Sequence, residues 1–378
     1  MTKTLYIVTA FLAGWGFYYF YSNTDFGTKP KVESAISNSL QKDSLPNLVL
    51  MGVGDMMLGS NYPSSELLPP EGGKNLLKEV APILRRADIC FGNLEGVLMS
   101  APGTPKHCNQ PEYCYVFKSP DEYVQHFIDA GIDVLSVANN HTGDFGAKGR
   151  MHTAEVLSKS GIQFAGHETF PYTIFEKGGV KYGFCAFAPN AGTVSILQTE
   201  AAVAIIKKLQ DSCDIVMVSM HTGAEGSKYN HITRKPEIFV GENRGNPYAF
   251  ARMAIDAGAD IVWGHGPHVL RAVDLYKDRF IAYSMGNFAT YGTINTKGIS
   301  GYAPVIEVET DRAGKFIRGK IHSALQQKGT GPFWDSTYQA AKEIKRLTQA
   351  DFPESELIVN EKGEIHLKNH NNSPDTNN

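Results

Sequence analysis

Five short apolar runs in this chain each end in a polar, glycine-bearing turn, and that recurrence limits the fold more than any other feature. Residues 48–53 run into Gly54-Asp55, and 89–91 into Gly92-Asn93-Leu94-Glu95-Gly96. Residues 134–138 run into Asn139-Asn140-His141. Residues 215–219 lead through Met220 into His221-Thr222-Gly223-Ala224-Glu225, and 261–263 into Gly264-His265-Gly266-Pro267-His268. Short unbroken apolar runs of this kind read as strands covered on both faces. In such sheets ligands gather outside the carboxyl ends of the strands. Glycine beside a ligand lets the backbone turn sharply and approach closely.

Helical patterns separate the runs, at 75–85, 121–130, 147–160, 201–209 and 249–257. Hairpin patterns occur at 172–187 around Gly178-Gly179, at 272–283 around Lys277-Asp278, and at 305–322. Strand–helix–strand repeats predict an α/β fold, and the hairpins a partly antiparallel second sheet. The expected architecture is one domain, 46–325, of two packed mixed β-sheets flanked by helices. Residues 326–378 read as a C-terminal helix near 336–347 and a polar tail ending NHNNSPDTNN.

The N-terminal residues 1–24 carry an uncharged apolar run, 4–21, preceded by Lys3. About eighteen apolar residues just span a bilayer as a helix. With no A-x-A cleavage pattern the run reads as an uncleaved signal anchor. Lys3 on the short side places the main domain outside the cytoplasm. Residues 25–45 read as a linker. The expected location is the cell membrane, single-pass, with an extracytoplasmic domain. Cys108 and Cys114 stand in a loop-like stretch that an oxidising compartment could close into a disulfide; Cys90, Cys185 and Cys213 lie in apolar segments and read as buried thiols.

With 36 Lys and Arg against 39 Asp and Glu, and no basic run, the chain offers no face for nucleic acid. The carboxylates, amides and imidazoles at the strand ends are instead the donor set of a divalent metal such as zinc, manganese or iron. Any one of them alone reads more readily as a structural histidine, a turn or a cap; five together in one domain point to a shared site. Asp144 reads as the cap of the helix near Ala147. Glu225, Arg244 and Arg271 are candidates for contact with substrate, the arginines through forked pairing with carboxylates, and Asn287 for a hydrogen bond to a metal-ligating histidine. The polar, turn-rich segment 226–246 is a candidate lid over the site.

The stretches VLSVANNHTGDFGAKG, HTGAE and AFARMAIDAGADIVWGHGPHVLRAVDLYKDRFIAYSMGNFATYG resemble the CapA family of capsule-synthesis proteins, named for poly-γ-glutamate capsule formation. That family resembles a branch of the calcineurin-like metallophosphatases, and the likeness runs from about Leu48 to Gly301. It implies the metallophosphatase fold and a set of roles. Asp55 and His268 would ligate a first metal and Glu95 would bridge. Asn140, His221 and His265 would ligate a second, and His141 would protonate the leaving group. One departure bears on the number of ions: Asp-x-His becomes Asp55-Met56-Met57, and a thioether is a poor ligand for a hard cation. The other is that His265 and His268 stand one residue further apart than the usual His-x-His. The resemblance implies a metal-dependent hydrolase acting on a phosphoester or an amide of an anionic envelope polymer, with one or two ions. Its alternative is a non-catalytic accessory in a capsule-synthesis complex. The Gly-x-x-x-x-Gly-Lys-Ser/Thr loop that ATP-driven ligation would call for does not occur.

Overall fold

The computed structural model describes residues 46–107, 115–292 and 294–368. The expected anchor and linker, Cys108 and Cys114, and the terminal NHNNSPDTNN lie outside the described residues. Among those described, no helix is long and apolar enough to cross a membrane.

Strand Leu48–Met57 is the pivot of the first sheet. It runs parallel to Ile89–Leu94 on one side and antiparallel to Val305–Thr310 on the other. Its last residues also pair in parallel with Asn287–Thr290. The order across this nine-stranded sheet is Leu357–Val359, Glu364–Leu367, Phe316–His322, Val305–Thr310, Leu48–Met57, Ile89–Leu94, Val134–Ser136 and Gln163–Ala165, with Asn287–Thr290 to the side. The six-stranded second sheet runs Val273–Tyr276, Arg279–Ala282, Ile261–His265, Ile215–His221, Val180–Phe187 and Tyr172–Lys177. Its outermost pairings are antiparallel and its inner ones parallel.

The two sheets face each other across one core. Leu50, Phe91, Val134 and Ile306 of the first meet Phe184, Met217 and Trp263 of the second. The Phe91 ring stacks on Trp263 at 6.0 Å between centroids and 12° between planes. Alternate residues of the same strands turn outward under helices. Met51, Val53 and Leu135 pack with Leu84, Phe127 and Leu157, and Val216, Val218 and Val262 with Ile206, Leu209 and Phe250. Both faces of the central strands are therefore apolar, which is why they read as unbroken runs. Each large side chain so buried contributes about 1.5–3 kcal/mol. The result is a helix–sheet–sheet–helix sandwich, the α/β arrangement of two mixed sheets that the sequence predicts.

Three expectations need correction. The helix expected at 75–85 is confined to Ala81–Leu84, with Pro82 in its first turn, the one helical position where the ring and the missing N–H are tolerated. The boundary at 325 does not divide the fold, because strands Leu357–Val359 and Glu364–Leu367 extend the first sheet beyond it and Ala340, Ala341 and Ile344 of helix Gln339–Asp351 join the central core. These edge strands are half exposed, so their sequence reads as polar. Cys90 and Cys185 are buried, whereas Cys213 is only partly so.

Candidate metal centre

Every motif singled out at a strand end sits at the same edge of the sandwich. Gly54 lets the pivot strand press against the turn before Asn287: a β-carbon there would lie 2.1 Å from the Gly286 carbonyl oxygen. That approach sets Asp55 beside Asn287 in register, with the Asp55 amide donating to Gly286 O at 2.9 Å. From the second sheet, His221 and His265 are register partners on adjacent parallel strands. Pro267 leads into His268, whose φ of 55° turns the chain back on itself.

The first consequence is a carboxylate held by two imidazoles. Asp55, fully buried, takes His265 Nδ1 on one oxygen and His268 Nδ1 on the other, each at 2.9 Å. Burial alone would push its carboxyl up, but those two hydrogen bonds and the imidazole charges outweigh burial and hold it far below the carboxylate range. Burial alone would lower His268, but Asp55, Glu95 and Glu225 outweigh burial and carry it up to about 10. Asn93 donates to Asp55 Oδ1 at 2.9 Å and to Glu95 Oε2 at 2.7 Å, and Asn139 in turn donates to Asn93 Oδ1 at 3.1 Å. Burial and the Asp55 charge push Glu95 up, yet the nearby His221 and His268 leave its carboxyl lowered.

Glu95 Oε1, Asn140 Oδ1, His221 Nε2 and His265 Nε2 of this edge are among the buried side-chain atoms that have no hydrogen-bond partner among the described residues. Buried polar atoms left unpaired are rare and call for a cause. The four residues are those the resemblance assigns to the bridging position and the second metal. Glu95 Oε2 stands 3.7 Å from His221 Nε2, and Glu95 Oε1 stands 3.8 Å from His268 Nε2. These separations are too long for hydrogen bonds, and are near the ~3.4 Å between two ligands of one tetrahedral zinc. No group of three or more His, Cys, Asp or Glu among the described residues forms a ready-made cage; Asp55 is taken up by two histidines. Glu95, Asn140, His221 and His265 are the candidates to hold a divalent ion by their donor chemistry, with Glu95 within 4 Å of both His221 and His268. Asp55 fits the position of an acceptor that orients His265 and His268 through their Nδ1 atoms, the usual partner of a metal-ligating imidazole.

His141 is held separately. Its Nδ1 lies 2.8 Å from Asp144 Oδ2, its amide donates to Asn139 Oδ1 at 3.0 Å, and its ring packs on Phe117 at 4.1 Å. Asp144 is not the expected helix cap. Helix Gly146–Ser160 has no side-chain cap bond, and Asp144 instead accepts from the Phe117 amide at 2.6 Å and pairs with Lys106 Nζ at 2.6 Å.

Residues 49–291 match the family described as "Bacterial capsule synthesis protein PGA_cap". The chain belongs to that family. Among PGA_cap relatives, it is 28% identical to the capsule biosynthesis protein CapA of Bacillus anthracis, over 64% of this chain and 59% of that one. It is 27% identical to the PGA biosynthesis protein CapA of Bacillus subtilis strain 168, over 62% and 61%. The chain thus spans about three fifths of the length of these relatives. It is also similar to the solved structure of a 5′-nucleotidase precursor from Thermus thermophilus, at TM-score 0.42 and 12% identity over 80% of this chain and 59% of that one. A likeness that remote carries nothing about chemistry.

At the rim of the PGA_cap site, the candidate substrate residues divide. Arg244 donates to Glu225 Oε1 at 2.9 Å, and the same oxygen lies 3.5 Å from Asn140 Nδ2, so both sit beside the proposed ligands. Arg244 also pairs with Glu242 at 3.0 Å. Arg271 does not reach substrate: it is fully buried, and its guanidinium forks onto Glu237 at 3.0 and 2.8 Å. Glu237 Oε2 also accepts the Ala224 amide at 2.8 Å, so this pair braces the 223–225 loop from inside. Asn287 contacts His268 Nδ1 at 3.2 Å and donates to His268 O at 3.2 Å. Sequence reasoning gave no role to Asn93, Asn139 or Glu237 and read Asp144 as a cap. The first two stand within two residues of Glu95 and Asn140, and that proximity was the available signal.

Proposed function

We propose that this chain is a membrane-anchored, extracytoplasmic hydrolase of capsule or poly-γ-glutamate metabolism that uses a divalent metal, manganese, zinc or iron, to cleave a phosphoester or an amide in an anionic envelope polymer. The observation that carries the reading is the coincidence of four unpartnered buried donors on Glu95, Asn140, His221 and His265 with a carboxylate-braced histidine nearby. An ion bound there supplies Lewis-acid polarisation of the scissile group. The chain's own residues do the rest. Asp55 fixes the ring orientation of His265 and His268. Asp144 on Nδ1 leaves His141 Nε2 as the atom that hands a proton to the leaving group. Arg244 and Glu225 form the polar rim where an anionic chain would lie.

The test is hydrolysis of bis(p-nitrophenyl) phosphate and γ-glutamyl-p-nitroanilide by the full-length chain after loading with each metal. His221→Ala and His265→Ala should abolish turnover together with bound metal; activity unchanged in both would sink the proposal. A second reading, a non-catalytic accessory of capsule assembly or export, is favoured by one feature: Asp55 is engaged by two histidines while Met57 stands where a further ligand would be. Under that reading, metal-site variants support capsule formation as well as wild type does.

A further inference from the structure

The segment 226–246 ends its excursion in a small hairpin at the rim of the site. Ile238–Phe239 pairs antiparallel with Glu242–Asn243, leaving Val240 and Gly241 as a two-residue turn with φ of 48° and 77°. Turns of this hand take Asn, Asp or Gly at the first position. A β-branched residue at positive φ is a true outlier. Val240 is 54% exposed, so only partial packing within the chain offsets that strain. Its neighbours are exposed as well: Ile238 at 58% and Tyr229 at 40%, the latter ring edge-on to Phe239 at 6.0 Å. Lys228 and Lys235 lie in the same excursion, both exposed, and neither pairs with an acid among the described residues, while Glu242, the acid of the hairpin itself, is 59% exposed and pairs with Arg244 at 3.0 Å. A residue that conflicts with its own backbone and stays half exposed is expected where function retains it. An apolar tip on an excursion that carries such lysines has the composition of a segment that seats in the headgroup layer of an anionic bilayer.

We propose that the Val240–Gly241 tip, with Ile238 and Tyr229, is a membrane-docking element that seats in an anionic lipid surface and sets the mouth of the metal site beside the bilayer. The tip is tied to the site by short links: Arg244, next to the hairpin, lies over the Phe239 ring at 5.6 Å and holds Glu225, which faces Asn140. The proposal rests on the anchoring part of the function proposed above and is independent of hydrolysis.

The experiment is amide hydrogen exchange on the full-length chain in detergent, in phosphatidylcholine nanodiscs, and in nanodiscs that also contain phosphatidylglycerol. The expected result is about tenfold slower exchange across 227–243 in the anionic discs alone. Val240→Asn suits the turn, so it should keep or raise the melting temperature while removing that protection. Lys228→Glu with Lys235→Glu should remove the dependence on anionic lipid. Exchange that ignores lipid, protection that survives Val240→Asn, or protection that grows with protein concentration in detergent, the mark of self-association, would each overturn it.

Discussion

Asp144 Oδ2 lies 2.8 Å from His141 Nδ1, three residues back in the same turn, and both side chains are buried. A carboxylate so placed fixes the ring, and under the proposed function it leaves Nε2 as the proton donor. Asp144→Asn keeps the shape but removes the carboxylate that holds His141 Nδ1. It should lower kcat on bis(p-nitrophenyl) phosphate by ~10²–10⁴, the range for a general acid, with KM and bound metal unchanged. A proportional loss of metal in this variant would mean that Asp144 acts on the ligand set.

Asp55 is an orienting acceptor in the geometry described, so Asp55→Asn should weaken metal binding without abolishing it. The expected loss is ~10–100-fold in affinity by calorimetry, typical of an outer partner of a ligating histidine. If Asp55 is itself a ligand, the loss matches that of His265→Ala.

Breaking the Arg271–Glu237 fork should act on stability before function. Arg271 is fully buried, and removing it strands the Glu237 carboxylate. Arg271→Met should destabilise the protein by ~3–5 kcal/mol in urea unfolding. The double variant with Glu237→Met should recover much of that loss, and a failure to recover would show that the two side chains act separately.

His167 supplies a pH dependence away from the metal ligands. Its Nε2 contacts Thr142 Oγ1 at 2.6 Å, and burial first, then the Arg150 charge, lowers its pKa from 6.5 to about 4. The unfolded chain therefore takes up a proton that the folded chain refuses. Stability from this group is complete above pH 6.5 and drains away as pH falls towards 4, by ~3 kcal/mol. Wild type minus His167→Gln, measured by urea unfolding at pH 7 and pH 4.5, should shrink in that sense; a difference independent of pH would contradict the assignment.

The buried parallel strands were legible because both of their faces are apolar, so Leu50 and Met51, or Met217 and Val218, read as one run whichever sheet face each serves. Their polar endings were legible for the same reason, as abrupt breaks. What escaped depends on partners distant in the chain or on local geometry with two meanings. An aspartate three residues after a histidine and two before a helix is a cap or a ring partner, and only the fold decides. Arg271 reads as a surface cation until Glu237 is seen to close on it. The terminal strands escaped because Ile358 and His366 face solvent, which hides the pattern of Leu357, Val359 and Ile365.

The pairing of Asp55 with Asn287 joins residues far apart in the chain. While the chain is being made, the first half of the centre exists without His221, His265 or the turn that seats His268. A nascent chain can hold its carboxylates but cannot close around an ion until nearly the whole domain has emerged. Whichever compartment sees that last turn fold also sets which ions are on offer, so under the proposed metal-dependent function the place of folding selects the ion as much as the ligands do.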